Sequence, residues 1–456
     1  MQKITVDVAV IGAGTAGMAA FHALKAAGKN VVLIDRGPLG TTCARVGCMP
    51  SKAVLHAGMR WATARQLPAG AVLSAEGPQA LWAHARQTRD TLAGGAAERT
   101  RKAAGDCLIM GEARFIAPGL LQVGQQQIAA ATCIVATGSR PVVPKAFAGL
   151  ADRILTTDTL FELETLPRRL GLLGLGAIGL ELGLALSRLD VDVVGADQQH
   201  TIGGIQDPEI QARALSRFQA ELPLWLGAPV EAHPTEDGVQ MRAGEHQATV
   251  DRLLVVAGRT PNTETLNLAA AGVPLDASGQ VRIDPVSMRA ADLPLFFAGD
   301  VQPDRALMHE AADEGKMAAQ AALAHLNGQA WTPAPRSVPI AILFTDPDVC
   351  SVGLGHAAAA QQNAVIGVAQ GSGNGRSKVL GAPENLLHVY VERQTGVLLG
   401  ASMVLTQGEH LAHLLAWAIQ SGQSVHQLLA MPYYHPSIEE MLQGALQSAA
   451  SQIHRK

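Results

Sequence analysis

Positions 6–11 are mostly β-branched and apolar, the pattern of a short buried strand. Gly12-Ala13-Gly14-Thr15-Ala16-Gly17 follows, then a helical spacing of apolar residues over 18–27 and a second strand over 30–34 that ends at Asp35. The order recurs downstream. A strand at 170–173 leads into Gly174-Leu175-Gly176-Ala177-Ile178-Gly179, a helix through 189, a strand over 191–195 and Asp197. The glycines let the backbone approach a pyrophosphate, the helix start offers N–H groups and positive dipole, and the acid reaches a ribose hydroxyl pair. Two such units imply two bound dinucleotides in a doubly wound α/β fold.

Further along, Phe296-Phe297-Ala298-Gly299-Asp300 reads as a strand ending in a carboxylate, followed by a helix from about Met308. Asp300 also suits a simple N-cap. Pro333-Ala334-Pro335 marks a linker, after which 338–353 and 386–391 read as strands and 411–421 as an amphipathic helix.

At 456 residues the chain exceeds one hydrophobic core and divides into about two to four domains. The 47 glycines suit several tight turns, while aromatics at 4% leave few platforms for stacking bases. A formal charge of -4 without long basic runs argues against a nucleic-acid partner or an anionic membrane surface. The most membrane-like stretch, 170–187, carries Glu181 and phosphate-loop glycines, so it reads as strand, turn and helix. The first seven residues pass straight into a strand, with no zones of a secretory signal, and the expected location is cytoplasmic. Cys107, Cys133 and Cys350 have no metal-ligand spacing, read as core residues, and no metal is expected.

The remaining cysteines, Cys43 and Cys48, lie in Thr41-Thr42-Cys43-Ala44-Arg45-Val46-Gly47-Cys48-Met49-Pro50-Ser51-Lys52. Five residues of straight helix rise about 7.5 Å, more than the roughly 4.4–6.8 Å between the Cα atoms of a disulfide. A bridge therefore needs distorted backbone, for which Gly47 supplies freedom; the alternative is two buried free thiols.

The Cys-x4-Cys-x-Pro-Ser-Lys run, both glycine turns and the C-terminal His435-Pro436-Ser437 with Glu440 together resemble the pyridine nucleotide-disulfide oxidoreductases, and among them most the dihydrolipoamide dehydrogenases. The resemblance covers nearly the whole chain. It implies two Rossmann-like domains, for FAD and NAD, and a C-terminal α+β dimerisation domain. The corresponding segments are 1–145 and 261–333 for FAD and the central domain, 146–260 for NAD and 334–456 for dimerisation. The crossings around Thr137-Gly138 and Gly258-Arg259 mark the first two boundaries.

For the chemistry, the resemblance implies a Cys43–Cys48 redox disulfide, with Cys48 against the flavin and Cys43 exchanging with substrate. His435, oriented by Glu440 one helical turn on, acts as the base, because an imidazole exchanges thiol protons near neutrality. Lys52 and Glu181 form an ion pair between flavin and nicotinamide. FAD contacts fall to Gly12, Gly14, Gly17, Asp35, Arg36, Thr42, Lys52, Thr137, Gly138, Asp300 and Met308, and NAD contacts to Gly174, Gly176, Ile178, Gly179, Asp197 and Gly258. The implied activity is FAD-dependent oxidation of a dihydrolipoyl dithiol by NAD in a homodimer, with the lipoyl group free or on a separate chain. Alternatives are an NAD(P)H-dependent reductase of another small disulfide or a flavoprotein transhydrogenase.

Two departures bear on substrate: Ala44-Arg45 stands where Leu-Asn is common, and Pro432-Tyr433-Tyr434 precedes His435 where a second histidine is frequent. The cation Arg45 is expected to favour an anionic substrate or a more acidic thiol. Mercuric reductase and large thioredoxin reductases need a C-terminal cysteine pair, which Ser451-Gln452-Ile453-His454-Arg455-Lys456 lacks. Asp197-Gln198-Gln199-His200 offers no arginine for a coenzyme phosphate and predicts NAD over NADP.

Overall fold

The computed structural model describes residues 2–67, 73–276, 281–302 and 305–453. Strand Gln2–Ile11 is the centre of a seven-stranded sheet, parallel on one side to Val31–Asp35 and Leu108–Met110, and on the other to Gln126–Val135. The last of these strands serves two partners. Its first half pairs antiparallel with Leu120–Val123, and its second half parallel with Leu295–Phe297, which returns from far along the chain. Ile11, Val135 and Phe297 thus end side by side, bringing the first glycine turn, Thr137-Gly138 and Asp300 to one edge. That edge is the carboxyl end of the strands, where open α/β sheets bind ligands.

A second parallel sheet has the order Leu224–Leu226, Asp192–Asp197, Arg169–Leu173, Arg252–Val255, Ile154–Leu155. A three-stranded antiparallel sheet, Val230–Thr235, Gly238–Ala243 and His246–Val250, packs beside it. The two crossings pair with each other as Ser139–Pro141 and Arg259–Pro261. The C-terminal sheet is antiparallel, in the order Ile340–Leu343, Asp348–Gly353, Leu398–Leu405, Leu386–Val391, Val365–Gln370, with helices Gly408–Gln420 and Glu440–Ile453 against it. The stretch read as strand over 338–353 is accordingly two strands joined by a turn.

Two close helix contacts set the site. Gly58 on helix Cys48–Ala64 lies where a Cβ would stand 2.6 Å from the carbonyl oxygen of Ala185 on helix Ala177–Arg188. Only glycine permits that approach, which carries the N-terminal turns of the two helices together. Likewise a Cβ on Gly315 would overlap the Ala16 carbonyl, so helix Met308–Leu326 lies tightly on helix Thr15–Ala26 with its first residues aimed at the first glycine turn.

Candidate active site

Both glycine turns are built alike. Gly12 and Gly174 have φ of +105° and +103°, a region costly for other residues, and a Cβ on Gly17 or Gly179 would overlap the carbonyl of Gly12 or Gly174. The middle glycines, Gly14 and Gly176, have nothing within 4 Å of a built Cβ and face open space. Each turn is tied to the acid at the end of the next strand. Asp35 accepts the Ala13 N–H at 2.7 Å and the Gly37 N–H at 2.6 Å, while Asp197 accepts those of Leu175 and Gln199 at 2.7 and 2.9 Å. A carboxylate has about four acceptor positions, so each retains capacity for hydroxyl groups.

Along the first turn runs a cavity lined by Gly12, Gly14, Asp35, Arg36, Thr42, Thr137 and Gly138. Gly17 packs beneath it. A second cavity, open to solvent, continues from Gly14, Thr42 and Gly138 to Cys43, Cys48, Lys52, Ile178, Glu181, Asp300 and Met308. Gly174, Gly176, Gly179, Asp197 and Gly258 line neither space; they stand at the carboxyl ends of the second sheet.

At the cysteines the helix is broken. Thr42–Arg45 ends, Gly47 takes φ -119° and ψ -118°, and a new helix starts at Cys48. A Cβ at Gly47 would press on the Thr42 carbonyl oxygen at 3.1 Å and on the Cys43 Cα at 3.2 Å. The break brings two free thiols into hydrogen-bonding contact. Cys43 keeps the shared proton and is raised well above the ordinary thiol range by the bond to Cys48 and by burial. Cys48 is lowered to about 7, chiefly by accepting that bond; burial opposes the shift, and the Lys52 charge adds to the lowering.

Lys52 Nζ lies 2.9 and 2.7 Å from the two oxygens of Glu181 and 4.8 Å above the Phe344 ring. Glu181 is 5% exposed and also accepts the Phe344 N–H at 3.0 Å. A buried carboxylate thereby has a cation and a backbone donor, the pairing its desolvation requires.

Asp300 caps no helix, because helix Met308–Leu326 has Leu307 at its N-cap. It accepts the Ser139 hydroxyl at 3.2 Å, and Arg259 donates to that hydroxyl and to the Ser139 carbonyl at 2.8 and 2.7 Å. Arg259, Thr157 and Phe161 also line the cysteine cavity, and sequence reading missed all three as well as Phe344. Only the mirrored placement of Arg140 and Arg259 after the two crossings hinted at one of them.

His435 Nδ1 is 2.9 Å from Glu440 Oε1 and 3.2 Å from Oε2, and the Ser437 N–H donates to Oε2 at 2.9 Å. The bond to His435 holds the Glu440 carboxyl below its usual range. No helical turn joins the pair. Helix Glu440–Ile453 begins only at the glutamate, and the preceding loop is fastened by Asn374, which donates to the Ser437 carbonyl at 3.0 Å. His435 is 77% exposed and does not line the cysteine cavity of its own chain.

Two expectations need correction. Arg45 faces the dinucleotide cavity and not the thiols, whose neighbouring cation is Lys52. Cys133 and Cys350 are core residues, whereas Cys107 is only partly buried, packed against the edge of the core and 3.8 Å from Lys25 Nζ.

Residues 6–322 match the family described as pyridine nucleotide-disulphide oxidoreductase, and residues 339–446 match its dimerisation domain. The chain belongs to this family. Dihydrolipoyl dehydrogenase of Halobacterium salinarum is 30% identical over 97% of this chain and 96% of that protein, and the Staphylococcus aureus enzyme of the same name is 28% identical over 98% and 97%. Among solved structures, the Cu(II) complex of the HOCl-induced flavoprotein disulfide reductase RclA from Escherichia coli superposes with a TM-score of 0.84 at 22% identity, covering 98% of this chain and 99% of that one. LpdA from Mycobacterium tuberculosis gives 0.83 at 22% identity with the same coverage.

As a pyridine nucleotide-disulphide oxidoreductase the protein is an enzyme whose cofactors are FAD and NAD. Its residues fit them: open space over Gly14 and Gly176 that a Cβ would fill, and buried hydroxyls of Thr137 and Thr157 without partners where the cavities pass.

Proposed function

We propose that this oxidoreductase is a dihydrolipoyl dehydrogenase acting through a Cys43–Cys48 disulfide. The observation that carries the reading is the thiol pair across the Gly47 break, opening with Lys52 and Glu181 on one cavity. Relatives named for that activity span nearly the whole chain and support it.

In the oxidised enzyme a substrate thiolate bonds to Cys43 Sγ as the Cys43–Cys48 bond breaks, and Cys48 leaves as thiolate. Its lowered pKa makes it the better leaving group. The second substrate sulfur then displaces Cys43, completing the substrate disulfide. His435, steered by Glu440, takes the thiol protons. Bound FAD would supply the two-electron link between the dithiol and the nicotinamide, for the net conversion of dithiol and NAD+ to disulfide, NADH and a proton. Lys52 favours the Cys48 thiolate, and Glu181 fixes the position of the lysine.

We assign 1–145 and 261–333 to FAD and the central fold, 146–260 to NAD and 334–456 to dimerisation. Because His435 lies outside the cysteine cavity of its own chain, His435 and Glu440 of one subunit would serve Cys43 and Cys48 of the other in a homodimer. The deciding experiment is anaerobic turnover of the purified enzyme with dihydrolipoamide, oxidised glutathione and other disulfides, with NAD and NADP separately. Dihydrolipoamide oxidation by NAD is expected to dominate. Reduction of a small disulfide without dihydrolipoamide turnover would overturn the substrate and leave a reductase of another disulfide.

A further inference from the structure

Gly40 at φ +120° and Thr41 at φ +60° make a sharp bend before the first cysteine. A β-branched residue at positive φ is costly, and Thr41 is held there with its hydroxyl accepting the Ala44 N–H at 3.1 Å. The Arg45 stem lies over the bend, with its Cγ and Cδ each 3.3 Å from the place of a Cβ on Gly40, and the residue lines the cavity of the first glycine turn.

Four charged residues line that cavity: Asp35, Arg36, Glu112 and Arg45. Arg36 faces Glu112 at 3.5 Å, and both Asp35 oxygens already accept backbone N–H groups. Among the described residues Arg45 has no carboxylate partner. No acidic residue stands in the first turn of helix Thr15–Ala26, and the buried Thr137 hydroxyl beside it is also unpartnered. An uncommitted cation, a buried hydroxyl and a glycine turn with its N–H groups together suit a dianionic diphosphate, for which a guanidinium adds charge-assisted bonds.

We propose that Arg45 binds the diphosphate of FAD and thereby sets how firmly the flavin is retained. The inference rests on FAD being the cofactor and not on the substrate reading. Its test is FAD release from the diluted holoenzyme, followed by the rise of flavin fluorescence at several salt concentrations. R45Q should release FAD about tenfold faster and show a weaker salt dependence, R45K, which keeps the charge but not the guanidinium fork, should fall between R45Q and wild type, and C48S should retain FAD normally. An unchanged release rate in R45Q overturns the proposal. Equal losses in R45K and R45Q, or equally lowered thermal stability of their apoproteins, point to the stem packing on Gly40 and overturn it too.

Discussion

Nδ1 of His435 stands 2.9 Å from Oε1 of Glu440, leaving the opposite ring nitrogen turned to solvent. A carboxylate at Nδ1 fixes the tautomer and steadies the charge the ring gains when it takes a proton. E440Q should lower kcat for dihydrolipoamide oxidation about 100-fold, within the roughly 10²–10⁴-fold span of general-base effects, while FAD content and the visible spectrum stay unchanged. An unaltered pH–rate profile in E440Q would remove the carboxylate from the mechanism.

The dyad lies apart from the cysteines of its own chain, which makes complementation informative. C48S and H435A homodimers should each be nearly inactive. Mixed dimers made by co-expression hold one site with both native groups, and activity near half of wild type is expected. No recovery in verified, FAD-loaded heterodimers would mean that base and dithiol do not meet across the interface.

Titration of the reduced enzyme should show the Cys48 thiolate forming as pH rises through about 7. The readout is the long-wavelength absorbance that accompanies a thiolate beside oxidised flavin. K52M removes a nearby cation, which shifts this transition to higher pH; E181Q removes a carboxylate that opposes the thiolate, which shifts it lower. C48S should abolish the band, and a band persisting at full strength would reassign the flavin-facing sulfur.

At the second sheet, Asp197 stands at the strand end where a coenzyme ribose is expected. Catalytic efficiency with NAD should exceed that with NADP, because the carboxylate repels a 2′-phosphate. D197A should narrow the ratio. Equal efficiencies in the wild-type enzyme would contradict this assignment.

Asp207, 1% exposed, N-caps helix Pro208–Gln219 and accepts His388 Nδ1 and the Tyr390 hydroxyl, each at 2.7 Å. Burial raises its pKa, but the bonds from His388 and Tyr390 prevail and leave it lowered to about 2. A depressed carboxyl stabilises the fold above its unfolded value near 3.8, and that contribution is lost as pH falls through about 2. D207N should therefore cost about 2–4 kcal/mol at neutral pH by leaving buried donors poorly matched, and the gap to wild type should close in strong acid. Thermal unfolding across pH checks both parts.

Much of the redox machinery is legible along the chain because it is local. Glycine turns, their closing acids and the Cys43–Gly47–Cys48 break depend on neighbours a few residues away, so backbone sterics write them into sequence. The Asp35 and Asp197 contacts, each reaching back 22 residues, follow from one strand-turn-helix-strand unit used twice. Long-range packing settled the rest. Phe344 reaches Glu181 across 163 positions, and Arg45 faces the dinucleotide cavity with its stem over the bend at Gly40, although the thiols lie beside it in sequence. Periodicity reports which residues are buried and cannot report which neighbour buries them; that choice is made only when helices cross as closely as Gly58 and Gly315 allow.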